Sequence, residues 1–170
     1  MVSEMQFPMT DISLQVEIPS PYRFRPLMKS DYQPFLKLLS QLTSVGNISE
    51  SQFDNQFDWL VNHNDTQRTL VIENTENNQL VGSGSIIVER KFIHECGMVG
   101  HIEDIVICES TRGKKLGKCL IDQLAHIGET MGCYKVLLSC AEKNVGFYEK
   151  CGLTRKEVTM ARYFIVYPSS

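Results

Sequence analysis

The fold is decided by the stretch His101-Ile102-Glu103-Asp104-Ile105-Val106-Ile107, followed by Thr111-Arg112-Gly113-Lys114-Lys115-Leu116-Gly117. It reads as an apolar strand interrupted by two adjacent carboxylates, and then a basic turn that contains glycine. Apolar residues recur at helical spacing after the turn, at Leu116, Leu120, Ile121, Leu124, Ile127 and Met131. The turn should therefore lie at a helix N-terminus, where unpaired N–H groups and the helix dipole favour phosphate oxygens. The sequence predicts a phosphorylated ligand here.

Two common phosphate-binding patterns do not fit this turn. A Walker A loop has four residues between its first Gly and Gly-Lys, and then Ser or Thr. Here three residues separate Gly113 from Gly117-Lys118, and Cys119 follows. The dinucleotide-binding pattern requires three glycines, and only Gly113 and Gly117 are available. Both patterns are therefore excluded.

The turn is similar instead to the pyrophosphate loop of GNAT acetyltransferases, which has Arg or Gln, two residues, Gly, one residue, and then Gly or Ala. Lys115 stands where the middle glycine is usual. Taken alone, the loop leaves two interpretations open, a cofactor loop or a basic helix start on a solvated face. The resemblance implies that the cofactor pyrophosphate is bound by Arg112, Gly113, Lys114, Lys115, Leu116, Gly117 and Lys118.

Further blocks resemble the glucosamine 6-phosphate N-acetyltransferases of the GNAT superfamily. They follow the same order and are nearly continuous from about Ser83; they comprise Leu42–Gly46, Ile86–Glu95, Gly100–Ile105, Ile121–Leu124, Gly132–Lys135 and Glu142–Gly152. The resemblance implies a mixed α/β (α+β) acyl-CoA N-acyltransferase fold. Its central sheet would be mixed and mostly antiparallel, flanked by helices, with a splay between two parallel strands.

The resemblance further implies an enzyme that transfers acetyl from its co-substrate acetyl-CoA to the 2-amino group of D-glucosamine 6-phosphate in a ternary complex. The products would be N-acetyl-D-glucosamine 6-phosphate and CoA, within UDP-N-acetylglucosamine biosynthesis. Two alternatives stay open: a catalytically slow acyl-CoA-binding module, and an acetyltransferase for another amine, such as a protein lysine or a polyamine. The latter predicts an acidic acceptor groove, against which Lys91, His94 and Lys135 argue.

Glu103 and Asp104 are the candidates for the chemistry. A regular pleat would point them to opposite faces of the strand, whereas a β-bulge would re-aim one of them. Acetyl transfer needs a neutral amine, and a sugar amine is less basic than a lysine amine with its pKa of about 10.4. We expect Glu103 to be the base, directly or through one water, and Asp104 to orient the amine or the sugar hydroxyls. Alternatively, both carboxylates pair with Arg90, Lys91 or His94.

The resemblance assigns cofactor contacts to residues after these carboxylates. The pantetheine arm would pair mostly with the main chain of Ile105, Val106 and Ile107. Tyr148 would be a catalytic residue that also touches the cofactor, because its phenol can donate a hydrogen bond to the departing thiolate. Asn144 would contact the cofactor and cap a helix. The alternative for Tyr148 is a core aromatic beside Phe147.

The sugar phosphate needs cations, and the resemblance implies a pocket with Thr43, Lys91 and His94, besides Glu103 and Asp104. Tyr134 and Lys135 would be supplied by a second subunit, since relatives form homodimers with sites at the interface. Arg162 is a looser candidate. Ser139 stands where relatives usually carry Asp or Glu, and a hydroxyl cannot hold the negative charge that steadies an ammonium.

Length and composition predict one domain, with residues 1–20 as a poorly ordered or docked arm and residues 21–170 as the acetyltransferase domain. The 170 residues carry 17 basic and 20 acidic side chains, a net charge of −3, which gives no sign of nucleic-acid binding. We expect no metal, no membrane insertion and a cytoplasmic location, because no apolar run approaches transmembrane length and no signal segment is evident. The six cysteines are expected to be mostly reduced core thiols.

Periodicity and turn signals place the elements. Helices are expected from Ser30-Asp31 through Leu42, after a capping box at Ser49–Gln52, from Leu116 to Gly132 and around Val145–Cys151. The expected strands are Tyr22–Arg25, Thr69–Glu73, Leu80–Arg90, Val99–Cys108, Lys135–Cys140 and Val158–Tyr167.

Overall fold

A five-stranded mixed sheet organises residues 4–165, the part of the chain that this computed structural model describes. The strands lie in chain order: β1 (Tyr22–Pro26), β2 (Gln67–Asn74), β3 (Leu80–Arg90), β4 (Met98–Ile107) and β5 (Cys133–Leu137). Neighbours from β1 to β4 pair antiparallel, and β5 runs parallel to β4. The predicted mostly antiparallel sheet with one parallel pair is confirmed.

Five helical segments connect the strands within the described residues: α1 (Tyr32–Leu39), α2 (Glu50–Asn62), α3 (Ile93–Cys96), α4 (Leu116–Thr130) and α5 (Val145–Lys150). Short 3₁₀ turns lie at Met9–Ile12, Lys29–Asp31, Glu109–Thr111 and Glu142–Asn144. The capping box before α2 is present, since the Gln52 N–H donates to Ser49 Oγ at 3.3 Å and the Ser49 N–H to Gln52 Oε1 at 2.8 Å.

The helices cover both faces of the sheet. Leu70 and Ile72 of β2 pack in one cluster with the fully buried leucines of α4, whereas Val71 packs in the other with Phe53 and Phe57 of α2. Successive residues of a strand point to opposite faces, so the two clusters lie on opposite sides of the sheet. The segment between the end of β4 at Ile107 and the start of α4 at Leu116 is short, so the N-terminus of α4 lies near the C-terminal end of β4.

Residues 4–20 dock on this framework. Phe7 and Ile12 are buried, at 2% and 0% exposure. The buried Gln123 amide of α4 donates to the Ile12 carbonyl at 2.9 Å, and its oxygen accepts from the backbone N–H of Val16 at 3.3 Å. A division of the chain at residue 20 stays a prediction.

The structure corrects the strand predicted at Val158–Tyr167. Residues 158–165 contain no strand, and Val158 and Phe164 are 81% and 87% exposed; the last two positions of that prediction lie outside the described residues. A strand needs a neighbour for its backbone N–H and C=O groups, and in the described part of the chain β5 pairs only with β4. The apolar spacing in the sequence did not show whether a neighbour was available.

Other boundaries and the cysteines also differ from expectation. The first α-helix ends at Leu39 rather than continuing to Leu42, which is 44% exposed. The last strand of the sheet ends at Leu137 instead of Cys140, because it leaves β4 there. All six cysteines are free. Two of them, Cys96 and Cys140, are exposed, and the other four, of which most were expected to be core thiols, are only partly buried.

Candidate active site

The site begins where β4 and β5 separate. Their pairing runs from Met98 opposite Cys133 to His101 opposite Leu137. Beyond His101, β4 continues to Ile107 while β5 has ended. The side of β4 that faces β5 therefore has no strand partner from Ile102 onward among the described residues, and the predicted splay is confirmed.

A β-bulge shapes β4 beside this opening. Ser85 lies opposite Glu103 and Ser83 opposite Val106, so Gly84 alone faces Asp104 and Ile105. Asp104 takes a left-handed conformation with φ of 53°, which Asp tolerates better than most residues. The extra residue re-aims the strand, and both carboxylates consequently border the same cavity.

That cavity, of about 250 Å³, collects much of the expected chemistry. Among its lining residues are the predicted Glu103, Asp104, Ile105, Ser139, Asn144 and Tyr148. Sequence reasoning missed five others: Leu42, Ile102, Leu138, Cys140 and Ala141. Leu138, Cys140 and Ala141 come directly after β5, which ends at Leu137. A correct prediction of where β5 ends would have indicated these three as lining residues.

The alternative in which the carboxylates pair with neighbouring cations is wrong for the residues described. No ion pair joins Glu103 or Asp104 to another side chain between residues 4 and 165. Lys91 instead contacts Glu89 at 2.7 Å, and His101 contacts the same carboxylate at 2.9 Å. Glu103 and Asp104 are exposed to the cavity and can accept protons or hydrogen bonds from a bound molecule.

Tyr148 lines the cavity from α5. Burial raises the pKa of its phenol above the ordinary value, so the hydroxyl keeps its proton at neutral pH and can donate. Its ring meets Phe147 edge-on, with the ring centroids 5.0 Å apart. Asn144 occupies the N-cap position of α5, as expected, but its side chain makes no capping hydrogen bond. That amide is thus available to a ligand in the cavity.

The basic turn forms the second part of the site. Gly113 and Lys115 have φ of 83° and 64°, and α4 starts directly afterwards, so the predicted helix N-terminus is confirmed. Within residues 4–165, the backbone N–H groups of residues 113–118 donate no hydrogen bond to the protein. Gly117 lies close to Phe147, whose Cζ would be 3.1 Å from an added Cβ. The turn can therefore present several N–H donors to an anion.

The cations of this turn have different partners. Arg112 lies 3.5 Å from Glu109, and Lys118 lies 2.7 Å from Asp122. Lys114 instead donates to the phenol oxygen of Tyr22 at 2.8 Å. Among these three cations, Lys114 alone makes no ion pair with a carboxylate within residues 4–165.

Some of the residues predicted to bind the sugar phosphate lie outside this cavity: Lys91, His94, Tyr134 and Lys135. The rings of His94 and Tyr134 are tilted by 57° with their centroids 5.0 Å apart, and the Lys135 ammonium lies 5.7 Å from the centre of the Tyr134 ring. They sit where β4 begins, and the five residue-to-residue steps from Met98 to Glu103 span about 16 Å of strand. Neither they nor Lys91 line the cavity of the same chain.

This second cluster has an unusual backbone. His94, Glu95 and Cys96 in α3 have φ of 53°, 58° and 61°, a left-handed turn built without glycine. Backbone strain of this kind tends to persist where function requires it. Of the remaining candidates, Thr43 adjoins the cavity-lining Leu42, and Arg162 is exposed with its guanidinium 5.8 Å from the Phe164 ring.

The described residues contain no cluster of three His, Cys, Asp or Glu side chains that could hold a metal ion. None of the helices among them combines the length and apolarity needed to cross a membrane.

Comparisons with known proteins agree with this geometry. The model of the acetyltransferase (GNAT) family matches residues 29–153. The glucosamine 6-phosphate N-acetyltransferase of Candida albicans is 42% identical over 148 residues, which cover 86% of this chain and 99% of that protein. The enzyme of that name from Arabidopsis thaliana is 40% identical over 144 residues, covering 84% and 97%. The crystal structure of the Arabidopsis thaliana protein matches with a TM-score of 0.83 and 39% identity, over 86% of this chain and 100% of that one. The chain therefore belongs to the GNAT family of acetyltransferases.

Proposed function

We propose that this protein transfers the acetyl group of acetyl-CoA to the 2-amino group of D-glucosamine 6-phosphate, giving N-acetyl-D-glucosamine 6-phosphate and CoA. One observation carries the proposal: Glu103, Asp104 and Tyr148 meet in a single cavity at the splay. This fold is shared, over nearly their full length, with relatives named glucosamine 6-phosphate N-acetyltransferases. The product would feed UDP-N-acetylglucosamine biosynthesis in the cytoplasm.

Glu103 is the proposed base. Its carboxylate makes no ion pair within the described residues, so it can take a proton from the sugar amine directly or through one water. The nitrogen then attacks the thioester carbon, a C–N bond forms and the C–S bond breaks. Asp104, turned to the same cavity by the bulge, would orient the amine or a neighbouring hydroxyl.

Tyr148 would stabilise the leaving thiolate. Its phenol stays protonated because burial raises its pKa, and it borders the same cavity as Glu103 and Asp104. A hydrogen bond to a charged acceptor contributes about 1.5–3 kcal/mol. The negative charge exists only late in the reaction, so this hydrogen bond lowers the barrier without tightening substrate binding.

The unpaired side of β4 and the basic turn suit acetyl-CoA. Ile105, Val106 and Ile107 lie in the stretch of β4 that β5 does not pair, where an extended pantetheine amide can bond to backbone groups on the open side of the strand. The N–H groups of Gly113–Lys118 at the start of α4 would hold the diphosphate. Asn144, free of a capping role, would add a contact from α5.

The sugar phosphate pocket would be completed by a second copy of the chain. Lys91, His94, Tyr134 and Lys135 are absent from the lining of the cavity that Glu103 borders, so this cavity alone does not supply these groups to the phosphate of a bound sugar. The exposed apolar residues between Val158 and Ile165 offer a surface that a second copy could cover. Both observations support a homodimer with shared sites as part of this proposal.

The second candidate is a slow acyl-CoA-binding module. It is favoured by Ser139, which lines the cavity as a neutral hydroxyl and bonds the Thr159 hydroxyl at 2.9 Å. No negative charge at that position steadies an incoming ammonium. Such a module would bind acetyl-CoA yet release thiol slowly with every amine.

A thiol-release assay distinguishes these functions. Purified protein is mixed with acetyl-CoA and glucosamine 6-phosphate, glucosamine, a polyamine or a lysine peptide. We expect release with glucosamine 6-phosphate, little with glucosamine, and a loss of about 10²–10⁴-fold in kcat for Glu103→Gln. Cys140→Ala is the matched control, because direct transfer needs no thiol in the cavity. Equal rates with glucosamine and its phosphate would refute the proposed phosphate pocket.

A further inference from the structure

The contact between Lys114 and Tyr22 joins the basic turn to the far edge of the sheet. Tyr22 starts β1, which is 92 residues away in the chain, and is 7% exposed. Its hydroxyl accepts from the Lys114 ammonium at 2.8 Å, and the ammonium also lies 5.4 Å from the centre of the Tyr22 ring. A lysine on an exposed turn is thereby held against a side chain fixed in the core.

This contact differs from those of the other two partnered cations of the turn. Arg112 and Lys118 face the carboxylates of Glu109 and Asp122, which offset their charge. A phenol is neutral, and the face of its ring attracts a cation without cancelling its charge. Lys114 is therefore held in place by a contact that sets no carboxylate beside its ammonium.

We propose that Tyr22 is a positioning residue for the diphosphate of acetyl-CoA, acting through Lys114. A free lysine side chain loses rotamer entropy when it is fixed. Tyr22 fixes the side chain of Lys114, a residue of the turn whose N–H groups from Gly113 to Lys118 would hold the diphosphate. Because Lys114 is fixed before the anion arrives, less of this entropy is lost on binding. This inference rests on the proposed function, because it concerns the acetyl-CoA that the reaction uses.

The test is calorimetric titration of wild type, Tyr22→Phe, Lys114→Met and the double variant with two ligands. Acetyl-CoA carries the diphosphate, and S-acetylpantetheine carries only the arm. Tyr22→Phe removes one oxygen and keeps the buried ring. We expect it to weaken acetyl-CoA binding about 3- to 10-fold, the worth of one hydrogen bond, and to leave S-acetylpantetheine unchanged. In the Lys114→Met background it should have no further effect.

Tyr32→Phe is the matched control, since the Tyr32 hydroxyl donates to the Ile48 carbonyl at 2.6 Å, away from the turn. It should bind both ligands as the wild type does. The inference is overturned if Tyr22→Phe binds acetyl-CoA normally, if it loses affinity for both ligands with a lowered Tm, or if the two substitutions are additive. Failure of the wild type to bind acetyl-CoA would instead refute the proposed function.

Discussion

Replacing Gly84 of β3 with Ala should disturb β4, the neighbouring strand that carries Glu103 and Asp104. Gly84 lies opposite the bulge at Asp104 and Ile105. A Cβ placed there would lie well inside contact distance of Ile105 Cδ1, and 2.8 Å from Cδ1 of the fully buried Leu124. Leu124 is enclosed by the core, so the strain should be relieved mainly by Ile105, which borders the cavity.

The expected size follows from two opposing effects. Overpacking of a core costs about 1–3 kcal/mol. Ala restricts the unfolded chain more than Gly does, which offsets about 0.5–1 kcal/mol. The free energy of unfolding should therefore fall by about 0.5–2 kcal/mol. Movement of Ile105 into the splay should also raise the KM for acetyl-CoA.

Urea denaturation followed by circular dichroism measures the first effect, and steady-state kinetics measures the second. Adding Ile105→Val, which removes the clashing Cδ1, should restore part of both losses in the double variant. Gly146→Ala is the matched control, since an added Cβ there meets nothing within 4 Å. A Gly84→Ala variant with wild-type stability and KM, or no recovery in the double variant, would refute the reasoning.

Three further predictions concern single groups. Tyr148→Phe should lower kcat about 10- to 100-fold with little change in the KM for the sugar, measured by thiol release; an unchanged kcat would remove the phenol from the mechanism. Lys115→Gly should raise the free energy of unfolding by about 0.5–1 kcal/mol, because Gly adopts the φ of 64° without strain; the urea midpoint should rise accordingly. Burial alone would raise the pKa of Glu73, but its hydrogen bonds and charge contacts with Arg23 and Arg25 outweigh this and hold the pKa below the ordinary value. The resulting stability is present above the unfolded pKa of about 4.3 and is lost as the pH falls through the folded pKa. Unfolding curves from pH 6 to 3 should show this loss for the wild type and a shallower slope for Glu73→Gln, and parallel curves would contradict it.

Local signals in the sequence were sufficient for most elements. The capping box at Ser49–Gln52 defined the start of α2, and the long apolar strand at Leu80–Arg90 has the predicted bounds. The spacing of apolar residues after Gly117 located the helix that presents the basic turn. These signals depend only on neighbours within a few positions, so the sequence contains them directly.

Features that depend on distant partners were less predictable. The strand expected at Val158–Tyr167 had suitable apolar residues, but a strand forms only beside another strand, which sequence periodicity cannot show. Asn144 has the residue type and position of a cap, yet its side chain is left for the cavity. Leu42 carries the apolar spacing of α1, but it lies beyond the helix and lines the cavity. Tertiary context decided all three.

The left-handed turn at His94–Cys96 should be an early site of local unfolding. Each such residue without glycine costs roughly 1–2 kcal/mol, so the turn concentrates about 3–6 kcal/mol of unfavourable conformation. A whole domain is stable by only about 5–15 kcal/mol. Two hydrogen bonds close the turn, from the N–H groups of Cys96 and Gly97 at 3.3 and 3.2 Å. On warming, amide protons there should exchange with deuterium before those of the surrounding strands, and a docked neighbour that slows this exchange would reveal its footprint.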